Sequence, residues 1–240
     1  MVRIILQPAY VLHSRAYRDS SLLLSVLTLQ YGVLTLLAKG VKQRLNVRSW
    51  LSPFMPLLIS WSGKGELPIL GKIEPNGVNY NLSGLSLLSG LYLNELLIKL
   101  LPQHDPCRSV YVLYEETLRN LKPQALSQTL RIFEKHLLIT LGYGLQLDKE
   151  ATGDKIEPEF FYYFKSGVGF IKTEKQIGSF ALFSGKSLLA LHYENMDMHA
   201  LKDAKILLQS ILQGILGNKS INAKKFFKDC KIIESAQTYF

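Results

Sequence analysis

Between Arg15 and Trp50 the chain interleaves cations with large rings: Arg15, Tyr17 and Arg18, then Lys39, then Lys42, Arg44, Arg48 and Trp50. Cations follow a phosphate backbone and aromatic faces stack on unpaired bases, so the chemistry on offer is recognition of single-stranded nucleic acid. Lys64 adds a charge further along. Residues 1–80 hold nine Lys and Arg against three acids, a net +6 of the chain's +9. A localised imbalance of that kind marks a polyanion-binding surface. The plainer reading is that these are solvated charges at strand ends, with Tyr17 and Trp50 plugging a barrel. Composition leaves both standing.

A second pair lies at Arg131 and Lys135, four residues apart and so on one helical face, beside the apolar row Leu130, Phe133 and Leu137. A cationic edge next to an apolar groove suits a short acidic peptide that ends in a hydrophobic residue and a free carboxylate. The alternative is an exposed helix face balanced by Glu134 and other acids.

Bond-making chemistry finds no support. There is no GxSxG, P-loop, dinucleotide fingerprint or HExxH. Gly63-Lys64-Gly65 lacks the helix a phosphate loop needs and reads as a hairpin turn. The five histidines are scattered; His13 and His136 read as structural residues. Glu115 and Glu116 are adjacent on a helix and diverge. His104-x-x-Cys107 is half of a metal site without a second half, and Cys230 stands alone, so no metal and no enzymatic activity are expected. The chain reads as a binding protein.

The elements that must carry these residues are β first and α later. Ala9–Arg15, Ser20–Leu29, Val33–Ala38, Phe54–Trp61 and Glu66–Ile73 read as short strands, with Gln30-Tyr31-Gly32 as a hairpin turn and 40–50 as a long loop. Pro53, Pro56 and Pro68 belong at edges or bulges. Five strands in this span predict a barrel of OB type. From Leu82 the period lengthens, predicting helices over 82–101, 110–121 and 124–141 that pack as a bundle. The aromatic run FFYYFKSGVGFI predicts a hairpin around Ser166-Gly167, followed by helices over 184–193, 199–216 and 223–231, the last with a basic face. The fold class is therefore α+β: an OB-fold barrel over 1–80, then a helical domain over 81–240 with a β-hairpin insertion at about 148–175. No apolar run approaches the ~18 residues that span a bilayer, and the N-terminus lacks a signal-peptide pattern, so no membrane partner and a cytoplasmic location are expected.

The wording of the chain adds a resemblance. AYVLHSRAYRDSSLLLSVLTLQYGVLTLLAKGVKQ and LSPFMPLLISWSGKGEL, then LSGLYLNELLIKLL, LRIFEKHLLITLGYG, FSGKSLLAL and GNKSINAKKFF, resemble the RecO family of bacterial DNA repair proteins along the whole length. The resemblance implies a recombination mediator without a cofactor. Such a protein binds single- and double-stranded DNA, anneals complementary strands, and helps load RecA onto DNA coated with single-stranded DNA-binding protein (SSB). Implied partners are RecR, in some settings RecF, and the acidic SSB tail; nucleoid association follows. Carried onto this sequence, the DNA-facing positions are Arg15, Arg18, Lys39, Lys42, Arg44 and Arg48, and the tail-binding positions Arg131 and Lys135. Many relatives carry a four-cysteine zinc module where this chain has LDKEATGDKIEPEFFYYF, so it resembles a zinc-free branch. The rival reading is an RNA-binding OB protein of RNA processing or ribosome assembly, marked by discrimination of the 2′-hydroxyl.

Overall fold

Three strands open the chain: β1 (Arg3–Tyr17), β2 (Ser21–Thr28) and β3 (Gly32–Ala38). The computed structural model describes residues 3–43, 45–63, 67–174, 177–217, 219 and 221–222. β2 and β3 form the expected hairpin, with Leu27 opposite Val33 and Leu22 opposite Ala38. Thr28 fastens its turn, its hydroxyl donating to Gly32 O at 2.9 Å and accepting from Tyr31 N at 3.1 Å. β1 runs well past the segment its alternation marks. Irregularities at Ile5–Leu6 and at Leu12 reset which side chains face inward, so the period-two signal breaks while the strand continues.

The span expected as a loop is partly helical: α1 (Leu45–Trp50) is six residues long, too short to leave a periodic signal. β4 (Pro56–Ser62) and β5 (Ile69–Pro75) then close a barrel in the order β1-β2-β3-β5-β4, with β3 and β5 parallel at Leu37 and Ile69. A five-stranded barrel with a helix between its third and fourth strands is an OB-type architecture. The prolines sit where little is asked of the ladder: Pro56 opens β4 and Pro68 lies just before β5. The interior is filled by Val11, Leu24, Val26, Leu34, Leu36, Leu57 and Ile59, with Val47 and Trp50 of α1 packed against it.

Tyr10, Leu27 and Val33 share a row on the other face and are buried too. α2 (Gly84–Leu100) packs on β1, and α3 (Arg108–Asn120) covers Tyr10. Tyr10 meets Tyr111 and Tyr114 with ring centroids 5.5 and 5.3 Å apart. The bulge residue Leu12 offers its carbonyl to Asn94 Nδ2 at 2.9 Å, and Asn94 Oδ1 accepts from Tyr114 at 2.6 Å. Burial pushes the Tyr10, Tyr111 and Tyr114 phenols well above their ordinary range.

The chain divides into two compact units: one reaches Leu121 and includes Ile221 and Asn222, and the other runs from Lys122 to Lys219. Contacts thus group α2 and α3 with the barrel rather than with the third helix of the predicted bundle. The second unit contains α4 (Leu126–Thr140), β6 (Phe161–Lys165), β7 (Gly169–Thr173), β8 (Leu182–Ser184), α5 (Gly185–His192) and α6 (Met198–Leu216). Its sheet has the order β7-β6-β8: the expected hairpin plus a third strand of only three residues. Tyr162, Phe170 and Phe183 are buried, so one face of the aromatic strand is core. α6 packs on α4 and α5. Ser184 and Asp197 cap α5 and α6 by accepting from Ser187 N and Ala200 N at 3.1 and 2.8 Å. The basic face expected over 223–231 lies outside the described residues.

Candidate nucleic-acid interface

The hairpin between β1 and β2 closes where Tyr17 pairs with Ser21, leaving Arg18, Asp19 and Ser20 as a three-residue loop. Leu22 pairs with Ala38, so Lys39 emerges at the same end of the barrel. After a turn at Gly40 the chain returns to this loop: Lys42 N donates to Ser20 O at 3.2 Å. Barrel connectivity therefore gathers Arg15, Arg18, Lys39 and Lys42 at one end. Arg48 stands on the exposed side of α1, and Arg44 lies outside the described residues.

Their surroundings differ. Arg15, Arg18, Lys39 and Arg48 are exposed, and among the described residues none of them makes an ion pair. Asp19 is the only acid in residues 1–50, which carry seven cations. The Arg18 guanidinium carbon sits 5.4 Å from the centroid of the Tyr17 ring. Tyr17 is half-buried and remains partly open to a ligand, whereas Trp50 lies against the barrel core. Lys42 is the exception: it is half-buried, and its Nζ donates to Arg18 O at 2.9 Å and Asp19 O at 3.1 Å. His13, expected to be structural, is exposed on the same face of β1 as Arg15 and Tyr17. The i, i+2, i+4 spacing of these three residues was the available signal.

In the second unit Arg131 and Lys135 share a face of α4, as the spacing required, but that face points inward. Arg131 is 1% exposed and Lys135 5%. Arg131 Nη2 lies 3.0 Å from Glu134 Oε1, while its Nε and Nη1 meet no acceptor among the described residues. Lys135 Nζ donates to the carbonyls of Leu191 and His192 at 3.2 and 3.0 Å and to Glu194 Oε1 at 2.6 Å, so it caps the C-terminal end of α5. His136 Nε2 is 2.7 Å from the same carboxylate oxygen. Burial raises the Glu194 pKa, but the hydrogen bonds from Lys135 and His136 outweigh it and hold the carboxyl below its ordinary value. Among the described residues no helix is long and apolar enough to cross a membrane.

Comparison with known proteins agrees with the barrel and the helical unit. Residues 1–77 match the family model for the N-terminal part of recombination protein O, and residues 82–224 match that for its C-terminal part. The DNA repair protein RecO of Coxiella burnetii strain RSA 331 is 43% identical over 230 residues, covering 93% of this chain and 97% of the relative. The RecO proteins of Nitrosococcus oceani and Methylococcus capsulatus are 40% and 38% identical, covering 96% and 94% of this chain and 95% and 94% of theirs. With both family models and near full-length relatives in agreement, the chain belongs to the RecO family of proteins of DNA repair and recombination.

Proposed function

We propose that this chain is a recombination mediator that works by binding rather than by catalysis. The OB barrel engages single- and double-stranded DNA through Arg15, Arg18, Lys39 and Arg48, with Arg44 in the intervening segment and Lys42 beside them. Neutralising the phosphates of two strands at once lowers their repulsion, so complementary bases can meet and anneal. The observation that carries this reading is the set of exposed cations that make no ion pair among the described residues, gathered at one barrel end beside the half-buried Tyr17.

The second unit is proposed to hold the SSB tail at Arg131, with Lys135 alongside, keeping the annealer at SSB-coated DNA and, with RecR and RecF, helping to load RecA. Two Arg131 donors that meet no acceptor among the described residues support this reading, since a terminal carboxylate reaching them would meet N–H groups already stripped of water. Reaching them requires the surrounding packing to open, because Arg131 is almost fully buried.

The test is annealing of complementary labelled oligonucleotides coated with SSB, comparing intact SSB with SSB lacking its last residues. Fast annealing that depends on the tail supports both halves of the proposal. Absence of annealing together with tight RNA binding would replace it with the RNA-binding reading.

A further inference from the structure

Lys42 resembles its basic neighbours in sequence and differs from them in structure. Arg18 has a φ of 50°, left-handed backbone that is uncommon outside glycine and costs energy unless its surroundings hold it. The carbonyls of Arg18 and Asp19 converge on Lys42 Nζ at 2.9 and 3.1 Å, and Lys42 N ties the following carbonyl, that of Ser20, at 3.2 Å. A single residue thus grips three successive carbonyls of the loop. With those carbonyls turned towards Lys42, the Arg18 side chain lies over Tyr17. Two of the three ammonium donors are engaged by backbone carbonyls of the loop.

We propose that Lys42 is a positioning residue: it holds the Arg18 loop in its left-handed turn, presenting the Arg18 guanidinium on Tyr17 to a phosphate, and does not itself contact nucleic acid. The assignment rests on the reading of Arg18 as a phosphate contact given above.

The experiment is a double-mutant cycle on the full chain with Lys42→Met, Arg18→Ala and both together. It is read as affinity for a fluorescent oligothymidylate across a series of salt concentrations. Each single substitution should weaken binding by roughly three- to tenfold and flatten the salt dependence by at most about one phosphate contact, a slope change of ~0.7. The double variant should be no weaker than the poorer single one by more than about twofold, since both changes remove the same contact. Multiplying losses and a slope change near ~1.4 would make Lys42 an independent phosphate contact and overturn the inference. So would an inert Lys42→Met beside an effective Arg18→Ala. An inert Arg18→Ala would instead remove the reading of the loop on which the inference rests. If Lys42→Met melts appreciably lower than the parent, Lys42→Gln, polar but too short to bridge both carbonyls, replaces it in the same cycle.

Discussion

Arg131 and Glu134, one turn apart on α4, form a charge pair that is almost completely sealed from water, with side chains 2% and 0% exposed and Nη2 to Oε1 at 3.0 Å. Burying two opposite charges costs stability unless they compensate one another. Arg131→Ala should therefore destabilise the second unit by about 3–5 kcal/mol, because it removes the cationic partner of a buried carboxylate. Replacing both residues by Met should come within about 1 kcal/mol of the parent. Urea unfolding of the two variants checks this, and a parent-like Arg131→Ala would show that water already reaches the pair. The Met/Met variant also separates folding from binding: it should lose affinity for an SSB-tail peptide and keep its affinity for bare DNA.

Glu194 ties Lys135 and His136 of α4 to the end of α5, and its carboxyl is held below the usual value by their hydrogen bonds against the opposing effect of burial. The unfolded chain binds this proton first as pH falls, so stability is complete above the ordinary glutamate range. It declines as the pH drops through the lowered folded-state value. Thermal melts from neutral pH to about pH 3 should show this acid limb. Glu194→Gln should be less stable at neutral pH and show a shallower limb. An unchanged limb would place the acid sensitivity in other carboxylates.

How much of this could be read from the sequence follows from the range of each signal. β2 and β3 alternate cleanly around a glycine turn, and the long amphipathic stripe of α6 is visible in the sequence. β1 hides half its length behind bulges, and β8 is three residues of otherwise unremarkable sequence. For the site, the cations that share the barrel end were legible because hairpin register places them together. Glu134 was legible as a partner of Arg131, three residues away. The partner of Lys135 was not, since Glu194 is 59 residues downstream and reaches it only through tertiary packing. Nothing local marks Lys42 as a residue aimed at carbonyls.

Gly32 ends the β2–β3 turn with a φ of 65°, and a side chain there would collide with the carbonyl oxygen of Asp105. The loop around Asp105 lies along β3, where His104 N donates to Val33 O at 3.0 Å. Gly32→Ala should thus combine a disfavoured backbone with a clash and cost about 2–4 kcal/mol. A denaturation midpoint within error of the parent would mean that this loop yields freely.

Cations on the barrel are not equivalent, and the difference can be measured. Lys72 is exposed but paired with Glu74, whereas Arg15 and Lys39 have no acidic partner among the described residues. A phosphate that approached Lys72 would have to displace a carboxylate and would release little counterion, because the charge is already compensated. A phosphate at Arg15 or Lys39 displaces only water and mobile ions, which is the release that makes binding steepen as salt falls. Lys72→Ala should leave both the affinity for single-stranded DNA and its salt slope essentially unchanged. Arg15→Ala and Lys39→Ala should each weaken binding and flatten the slope by about 0.7. The pair together should flatten it by about twice that, since two separate contacts add. Equal effects from all three substitutions would mean that DNA responds to the overall charge of the barrel rather than to this end of it, and the path of the strand would have to be sought elsewhere.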